Sequence, residues 1–71
     1  MEYRIVTCSI RDYGLEHCLK KLEGLVNAEI EKGFRPTGSM TTEQIPYYHV
    51  MEGVSEEVRI EYRASQPMVR D

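Results

Sequence analysis

The sequence lacks most of the features that identify a membrane protein, a disulfide-stabilised domain or a nucleic-acid-binding protein. It has two cysteines, too few for a disulfide framework, and no apolar run near the roughly 20 residues that cross a bilayer. Its net charge is only −3, and this mild acidity disfavours a protein that binds nucleic-acid phosphates. We therefore expect a cytoplasmic protein that does not bind membranes, with Cys8 and Cys18 reduced and buried.

Motifs for metal binding or catalysis are also missing. The sequence has no C-x-x-C and no H-x-x-x-H, and His17 and Cys18 are adjacent, so they would point about 100° apart on a helix. His49 has no evident partner that would make it a catalytic base. The glycines at 33 and 38 follow the predicted helix instead of preceding it, unlike those of a phosphate loop. The sequence predicts no metal, no cofactor and no catalytic residue.

The strongest pattern predicts one amphipathic helix from Asp12 to Phe34. Asp12 is the expected N-cap, and Gly33 is the expected stop, with Phe34 packing back on the last turn. Gly24 interrupts the helix either as a surface residue or as a site where a second backbone approaches in a dimer. The apolar residues recur at steps of three and four: Leu15, Cys18, Leu19, Leu22, Leu25, Val26 and Ile30.

Four strands are predicted around this helix. The first runs from Tyr3 to Ile10, and its apolar residues at both parities indicate a central strand. A short edge strand, broken by a proline, follows from Phe34 to Met40. A polar loop from Thr41 to Ile45 leads to the third strand, Tyr47 to Met51. The alternation from Val58 to Ala64 favours a fourth strand, although apolar residues four apart leave a helix as the alternative.

These elements predict an α+β fold, with a single helix packed on one face of a small three- to four-stranded sheet in the order β-α-β-β(-β). The first two strands would be parallel if they are neighbours. We expect residues 1–64 to form the domain and residues 65–71 to form a flexible tail. A chain of this length buries only about 60% of its unfolded surface, so oligomerisation would add needed stability.

Tyrosines and arginines on the predicted strands form the candidate binding surface. Such a surface suits a protein interface, a small-molecule pocket between subunits, or stacking of unpaired bases, and the acidic balance makes nucleic acid unlikely. The candidate residues are Tyr47, Tyr48, His49, Arg59, Tyr62 and Arg63.

Several short motifs resemble a family of small bacterial and phage proteins that is known as a domain of unknown function. The similar motifs are Tyr3-Arg4-Ile5-Val6, Leu25-Val26-Asn27, the segment from Gly33 to Gly38, and Tyr47-Tyr48-His49-Val50-Met51. The resemblance covers about Glu2 to Met51 and implies a β-α-β-β core but no activity. The chain departs from the family at His49-Val50, where the family tends to have Gln-Ala, and in its additional strand from Val58 to Ala64.

The leading hypothesis is a non-enzymatic interaction module, such as a phage or mobile-element accessory protein that binds a host protein. A small-molecule binding or sequestering protein is the first alternative, and a single-strand nucleic-acid-binding protein is the second. The sequence also predicts a homodimer, because one helix covers only one face of the sheet and the other face or an edge would pair with a second copy.

Overall fold

A computed structural model describes residues 1–49 and 57–71, with only the backbone at His49. It confirms the α+β fold, with one helix packed against a four-stranded antiparallel sheet. The last two residues predicted for the third strand, Val50 and Met51, lie outside the described residues. The elements in chain order are β1 (Glu2–Arg11), α1 (Leu15–Glu31), β2 (Arg35–Pro36), β3 (Thr41–His49) and β4 (Glu57–Arg70).

The centre of the sheet is β4, not β1. Strand β1 pairs with β4 along one side, in a continuous antiparallel register from Glu2↔Arg70 to Arg11↔Glu61. Strands β2 and β3 pair one after the other along the opposite side of β4. The prediction that the first strand is central is therefore wrong. Strands β1 and β2 run parallel to each other, but β4 lies between them, so they are not neighbours.

The side chains of β1 account for the difference between its predicted central position and its observed edge position. Val6, Cys8 and Ile10 point to the helix, where Cys8 and Ile10 are buried. The residues of opposite parity include Tyr3 and Ile5, whose side chains are each 72% exposed on the open face of the sheet. Apolar residues at both parities thus come from one packed face and one solvent-exposed face, not from cover on both.

The expected C-terminal tail is instead the second half of β4. Residues 65 to 70 lie between β1 and the opposite edge, and Met68 and Val69 are 0% and 5% exposed. Pro67 has no N–H to donate, but its carbonyl accepts from the Thr37 amide at 3.0 Å. The side-chain amide of Gln66 lies 3.5 Å from the Thr37 carbonyl and supplies the donor that Pro67 lacks. A polar, proline-containing segment is therefore held as a strand by both of its neighbours.

The opposite edge of the sheet is interrupted. Strand β2 is only Arg35–Pro36, which agrees with an edge position but is shorter than predicted. Strand β3 begins at Thr41, so the predicted polar loop from Thr41 to Ile45 is wrong, because these residues pair with Ser65 to Glu61 of β4. Pairing along β4 outweighs the weak strand preference of this segment. The Val58 to Ala64 region is a strand, and the helical alternative does not hold.

The helix is shorter than predicted at its N-terminus and ends as predicted. Gly14 is the N-cap and makes no side-chain cap hydrogen bond, so Asp12 does not cap the helix. At the other end Gly33 has φ +94°. The Phe34 amide donates to the Glu29 carbonyl at 3.1 Å and the Gly33 amide donates to Ile30 at 3.0 Å, which is a Schellman C-cap.

Two packed regions hold the helix on the sheet. The first lies under the N-terminal half of α1 and contains Cys8, Ile10, Cys18, Leu22 and Ala64, with Val6, Leu19, Val26 and Tyr62 half-buried around them. The second lies at the helix C-terminus, where Phe34 is 2% exposed. The guanidinium carbons of Arg4 and Arg70 lie 4.7 and 4.5 Å from the Phe34 ring centroid.

The sheet extends well beyond the helix. The Cα radius of gyration is 15.4 Å, against about 11 Å for a compact domain of this length. Past Arg11, β3 is the one partner of β4 among the described residues, so residues 46–49 and 57–60 form a two-stranded ribbon that projects from the domain. No helix in the described part of the chain is long and apolar enough to cross a membrane.

Candidate functional site

The six predicted surface residues lie on β3 and β4, but they are divided between the two faces of the sheet. Tyr47, Arg59 and Arg63 share the open face, because Tyr47 pairs with Arg59 and Arg63 has the same parity. Tyr48 and Tyr62 point to the helix face. His49 ends β3 opposite Glu57, and its side chain lies outside the described part of the structure. The structure therefore does not assemble the six residues into one surface.

The open-face residues belong to a charged cluster that we define as Arg11, Asp12, Tyr47, Arg59, Glu61 and Arg63. Glu61 accepts from Arg11 Nε at 2.9 Å and from Arg63 Nη2 at 3.0 Å. The Arg11 guanidinium carbon also lies 4.4 Å from the centroid of the Tyr47 ring. These contacts join β1, β3 and β4 at the base of the projecting ribbon.

Asp12 ties the loop after β1 to this ribbon. Its Oδ1 atom accepts from the Tyr47 hydroxyl at 3.0 Å and from Arg59 Nη1 at 2.8 Å. Asp12 has φ +69°, the left-handed conformation that aspartate adopts more readily than most residues with a side chain. The carboxylate expected to cap the helix instead holds residues 35 and 47 positions away in the chain.

The charges of the cluster largely neutralise one another. The hydrogen bond and the charge of Arg11, helped by Arg63, hold the pKa of Glu61 below its ordinary value. Burial and the hydrogen bond to Asp12 raise the pKa of Tyr47. Hydrogen bonds to Asp12 and Glu57 raise the pKa of Arg59. Each arginine here has a carboxylate partner, so the cluster is a structural network and not an open anion site.

The two helix-face tyrosines have different surroundings. Tyr62 is half-buried against the core, and its backbone carbonyl accepts from Cys18 Sγ at 3.6 Å. Tyr48 lies on the projecting ribbon and is 73% exposed, beside Val58 at 62%. Tyr62 is therefore a packing residue, and Tyr48 lies on a small exposed apolar surface away from the charged cluster.

Both cysteines are free thiols in the core. Cys8 and Cys18 are 6% and 0% exposed, and Cys18 Sγ donates to the Cys8 carbonyl at 3.4 Å. Burial, with the nearby Cys8, raises the pKa of the Cys18 thiol. A protonated and enclosed thiol is a poor nucleophile. No group of three or more His, Cys, Asp or Glu within residues 1–49 and 57–71 is arranged to hold a metal ion.

Alkylation tests the structural role of the cysteines. We expect iodoacetamide to leave the native protein unlabelled over hours and to label both thiols after unfolding in guanidinium, as measured by intact mass. The Cys8→Ser variant assigns any single modification to Cys18. Labelling of either native thiol within minutes would contradict a core role and would indicate a redox pair.

The open edge of β1 contains none of the six predicted site residues. The Pro67 carbonyl bonds to Thr37, so the backbone polar groups of Pro67 face the β2 edge, and those of its neighbours Gln66 and Met68 face β1. The β1 residues opposite these neighbours, Val6 and Arg4, are consequently the ones that bond to β4. By alternation, the amides and carbonyls that face outward from this edge are those of Tyr3, Ile5, Thr7 and Ser9.

Within residues 1–49 and 57–71 the fold is a small α+β domain with one continuous sheet edge that pairs with no other strand, the edge of β1. Comparison of the chain with protein-family models, with curated proteins and with solved structures finds no match. The family resemblance drawn from the short motifs therefore stays a prediction.

Proposed function

We propose that the chain is a non-enzymatic interaction module that binds a protein partner by strand addition at the open edge of β1. The observation that carries this proposal is the edge itself, ten residues long and without proline, glycine or positive φ. Unpaired amides and carbonyls along such an edge are a template for another strand. Among the described residues, β1 pairs with β4 and with no other strand.

The two edges of the sheet differ in a way that supports this choice. The edge opposite β1 is divided between β2 and β3, with Pro36 in the first and Pro46 in the second. Gly38, with φ +70°, lies in the break between them. Prolines and breaks protect an edge from pairing with other chains. Strand β1 has no such protection, which favours it as the docking edge.

The charged cluster supports protein binding over nucleic-acid binding. Its arginines are engaged by Glu61, Asp12 and Glu57, so a phosphate would have to displace a carboxylate from each of them. That the partner is a protein of a bacterial host, with this chain as a phage or mobile-element accessory protein, rests on the family resemblance alone.

A proline at position 7 tests the proposed edge. The Thr7 amide faces away from β4, so Thr7→Pro removes an outward donor without removing a β1–β4 hydrogen bond. Thr7→Ala is the matched control, because both variants lose the 3.0 Å contact between the Thr7 and Ser65 hydroxyls. We expect wild type and Thr7→Ala to capture the same protein from a bacterial lysate, and Thr7→Pro to lose it. Equal capture by all three, with circular dichroism showing a folded Thr7→Pro, would contradict the proposal.

We also propose that the chain forms a homodimer through the apolar end of its open sheet face. Tyr3 and Ile5 are each 72% exposed there, opposite Val69 and Pro67 of β4, of which Val69 is itself only 5% exposed. The rest of the open face carries the charged cluster, so the apolar surface is smaller than the sequence suggested. Ile60 and Val58 do not contribute to it, because they lie on the helix face of the ribbon. Association through this patch would stabilise a domain with a small core.

Light scattering at micromolar concentration tests the dimer. We expect wild type to have twice the 8.3 kDa mass of one chain, and Ile5→Glu to have the mass of one. Val58→Glu is the matched control, since it adds the same charge at an exposed apolar strand position outside the patch. A wild-type mass of one chain at every concentration would rule out the dimer.

A further inference from the structure

A groove runs along the helix side of the β1 edge. It has a volume of about 520 Å³, and its lining comes from both elements: Thr7, Cys8 and Ser9 of β1, and Lys20, Lys21, Gly24 and Leu25 of α1. The backbone of this part of β1 is the proposed docking edge. A strand added there would place every second side chain in the groove and the intervening ones on the open face.

The helix side of the groove is unobstructed at Gly24, where a partner would lie. A Cβ atom built on Gly24 meets nothing within 4 Å, so no other part of the described structure approaches that point. Leu25 beside it is 44% exposed and provides an apolar contact. Gly24 lowers helix stability by about 1 kcal/mol relative to alanine, and close approach by a second backbone would account for a glycine at this position.

The lining of the groove carries two positive charges, those of Lys20 and Lys21. Neither Lys20 nor Lys21 takes part in an ion pair among the described residues, whereas Lys32 pairs with Glu29. None of the described residues that line the groove carries a carboxylate. A partner segment with acidic side chains directed into the groove would therefore meet the ammonium groups of Lys20 and Lys21.

The β1 strand of a second copy does not supply that charge. The one carboxylate on β1, Glu2, is bound to Arg70 at 2.6 Å, and the other charged residues of the strand are Arg4 and Arg11. Two-fold antiparallel pairing of two β1 strands would also put both helices on the same face, with Lys20 and Lys21 of each copy turned toward the other. Electrostatics thus favours a foreign strand over pairing of β1 with the β1 strand of a second copy.

We infer that the β1–α1 groove binds an extended segment of a partner protein with Asp or Glu at alternate positions. This inference rests on the proposed role of β1 as a docking edge and adds the chemical class of its partner. The main chain of the segment bonds to the outward amides and carbonyls of Thr7 and Ser9. Its acidic side chains lie near Lys20 and Lys21, while its other side chains face outward beside Ile5.

Three labelled peptides test the inference by fluorescence anisotropy in low salt. The probe is (Thr-Glu)4, and the controls are (Thr-Lys)4, which reverses the charge, and (Pro-Glu)4, which keeps the charge but has no amide donor at the residues that alternate with the glutamates. We expect (Thr-Glu)4 to bind at least about tenfold more tightly than either control. Binding should weaken as the salt concentration rises, because the ion pairs are exposed.

Charge variants locate the interaction. Lys20→Gln with Lys21→Gln is expected to weaken (Thr-Glu)4 binding by about tenfold. The matched control is Ser39→Asp with Thr41→Asp, which gives the same net charge by changes at the opposite edge of the sheet and should leave binding within about twofold. Equal loss in both double variants would show that only net charge matters and would overturn the inference.

Amide hydrogen exchange separates failure of this inference from failure of the proposed function. With (Thr-Glu)4 bound, the Thr7 and Ser9 amides should become protected, while those of Val6 and Cys8 are already protected by β4. Equal binding of (Thr-Glu)4 and (Thr-Lys)4 with protection at Thr7 and Ser9 would keep the docking edge and overturn the acidic preference. No protection with any peptide would overturn both. Concentration-dependent protection of these amides in the protein alone would assign the edge to a second copy, against the inference.

Discussion

A chain truncated after Ala64 is expected to remain unfolded. The missing residues form half of the central strand, opposite Glu2 to Thr7 of β1, and they include Met68 and Val69 at 0% and 5% exposure. Burying two such side chains contributes about 3 to 6 kcal/mol, which matches the roughly 3 to 5 kcal/mol that a core of this size supplies. Circular dichroism at 25 °C should show a disordered chain with no cooperative thermal transition.

Removal of Asp71 alone is the matched control. Asp71 is exposed and makes a surface ion pair with Arg35 at 3.1 Å, so its loss should change the free energy of unfolding by no more than about 0.5 kcal/mol. A chain ending at Ala64 that unfolds cooperatively with full helix content would contradict the structure. It would instead support the flexible tail that the sequence suggests.

The helix and its end could be predicted because their determinants are local. Apolar residues three and four apart define the buried face, and Gly33 adopts the positive φ that closes a Schellman cap. The beginning of the helix could not be predicted in the same way. Asp12 has the residue type of an N-cap, but its carboxylate is bound by Tyr47 and Arg59 from distant strands.

The strand order depends on pairing that no single strand encodes. Ser65, Gln66 and Pro67 form a polar segment, and it is a central strand only because β1 and the β2–β3 edge lie on either side of it. Once β4 occupies the centre, β1 becomes an edge. The edge of β1, which we propose as the docking surface, is therefore exposed as a result of tertiary pairing. The pattern of β1 residues alone predicts a central strand instead of an edge strand.

Part of the candidate surface could have been resolved from the sequence. Tyr47 and Tyr48 are adjacent, as are Tyr62 and Arg63, and neighbouring residues on a strand point to opposite faces. This alternation places the two members of each pair on opposite faces of the sheet, so one face cannot contain both. The partners of the arginines could not be predicted, because Glu61, between Arg59 and Arg63 in the chain, is bound by Arg11 across the β1–β4 pairing.

Replacement of Phe34 by alanine is expected to destabilise the domain by about 3 to 5 kcal/mol. The ring is 2% exposed and lies between the guanidinium groups of Arg4 and Arg70. It connects the helix C-terminus to both β1 and β4, because Arg4 also binds Glu29 and Arg70 binds the Lys32 carbonyl. Since the loss is comparable to the whole stability of a small domain, the variant should be largely unfolded in urea titrations followed by circular dichroism.

Two further variants test the contribution of Phe34 to stability even if Phe34→Ala does not fold. Phe34→Leu preserves most of the buried volume but loses the cation–π contacts, so it should cost about 1 to 2 kcal/mol and unfold cooperatively. Tyr13→Ala removes an aromatic ring that is 61% exposed and stacks on His17 at 4.8 Å, and it should change stability by no more than about 0.5 kcal/mol. If Phe34→Ala and Tyr13→Ala have equal effects, Phe34 does not anchor the helix C-terminus to the sheet.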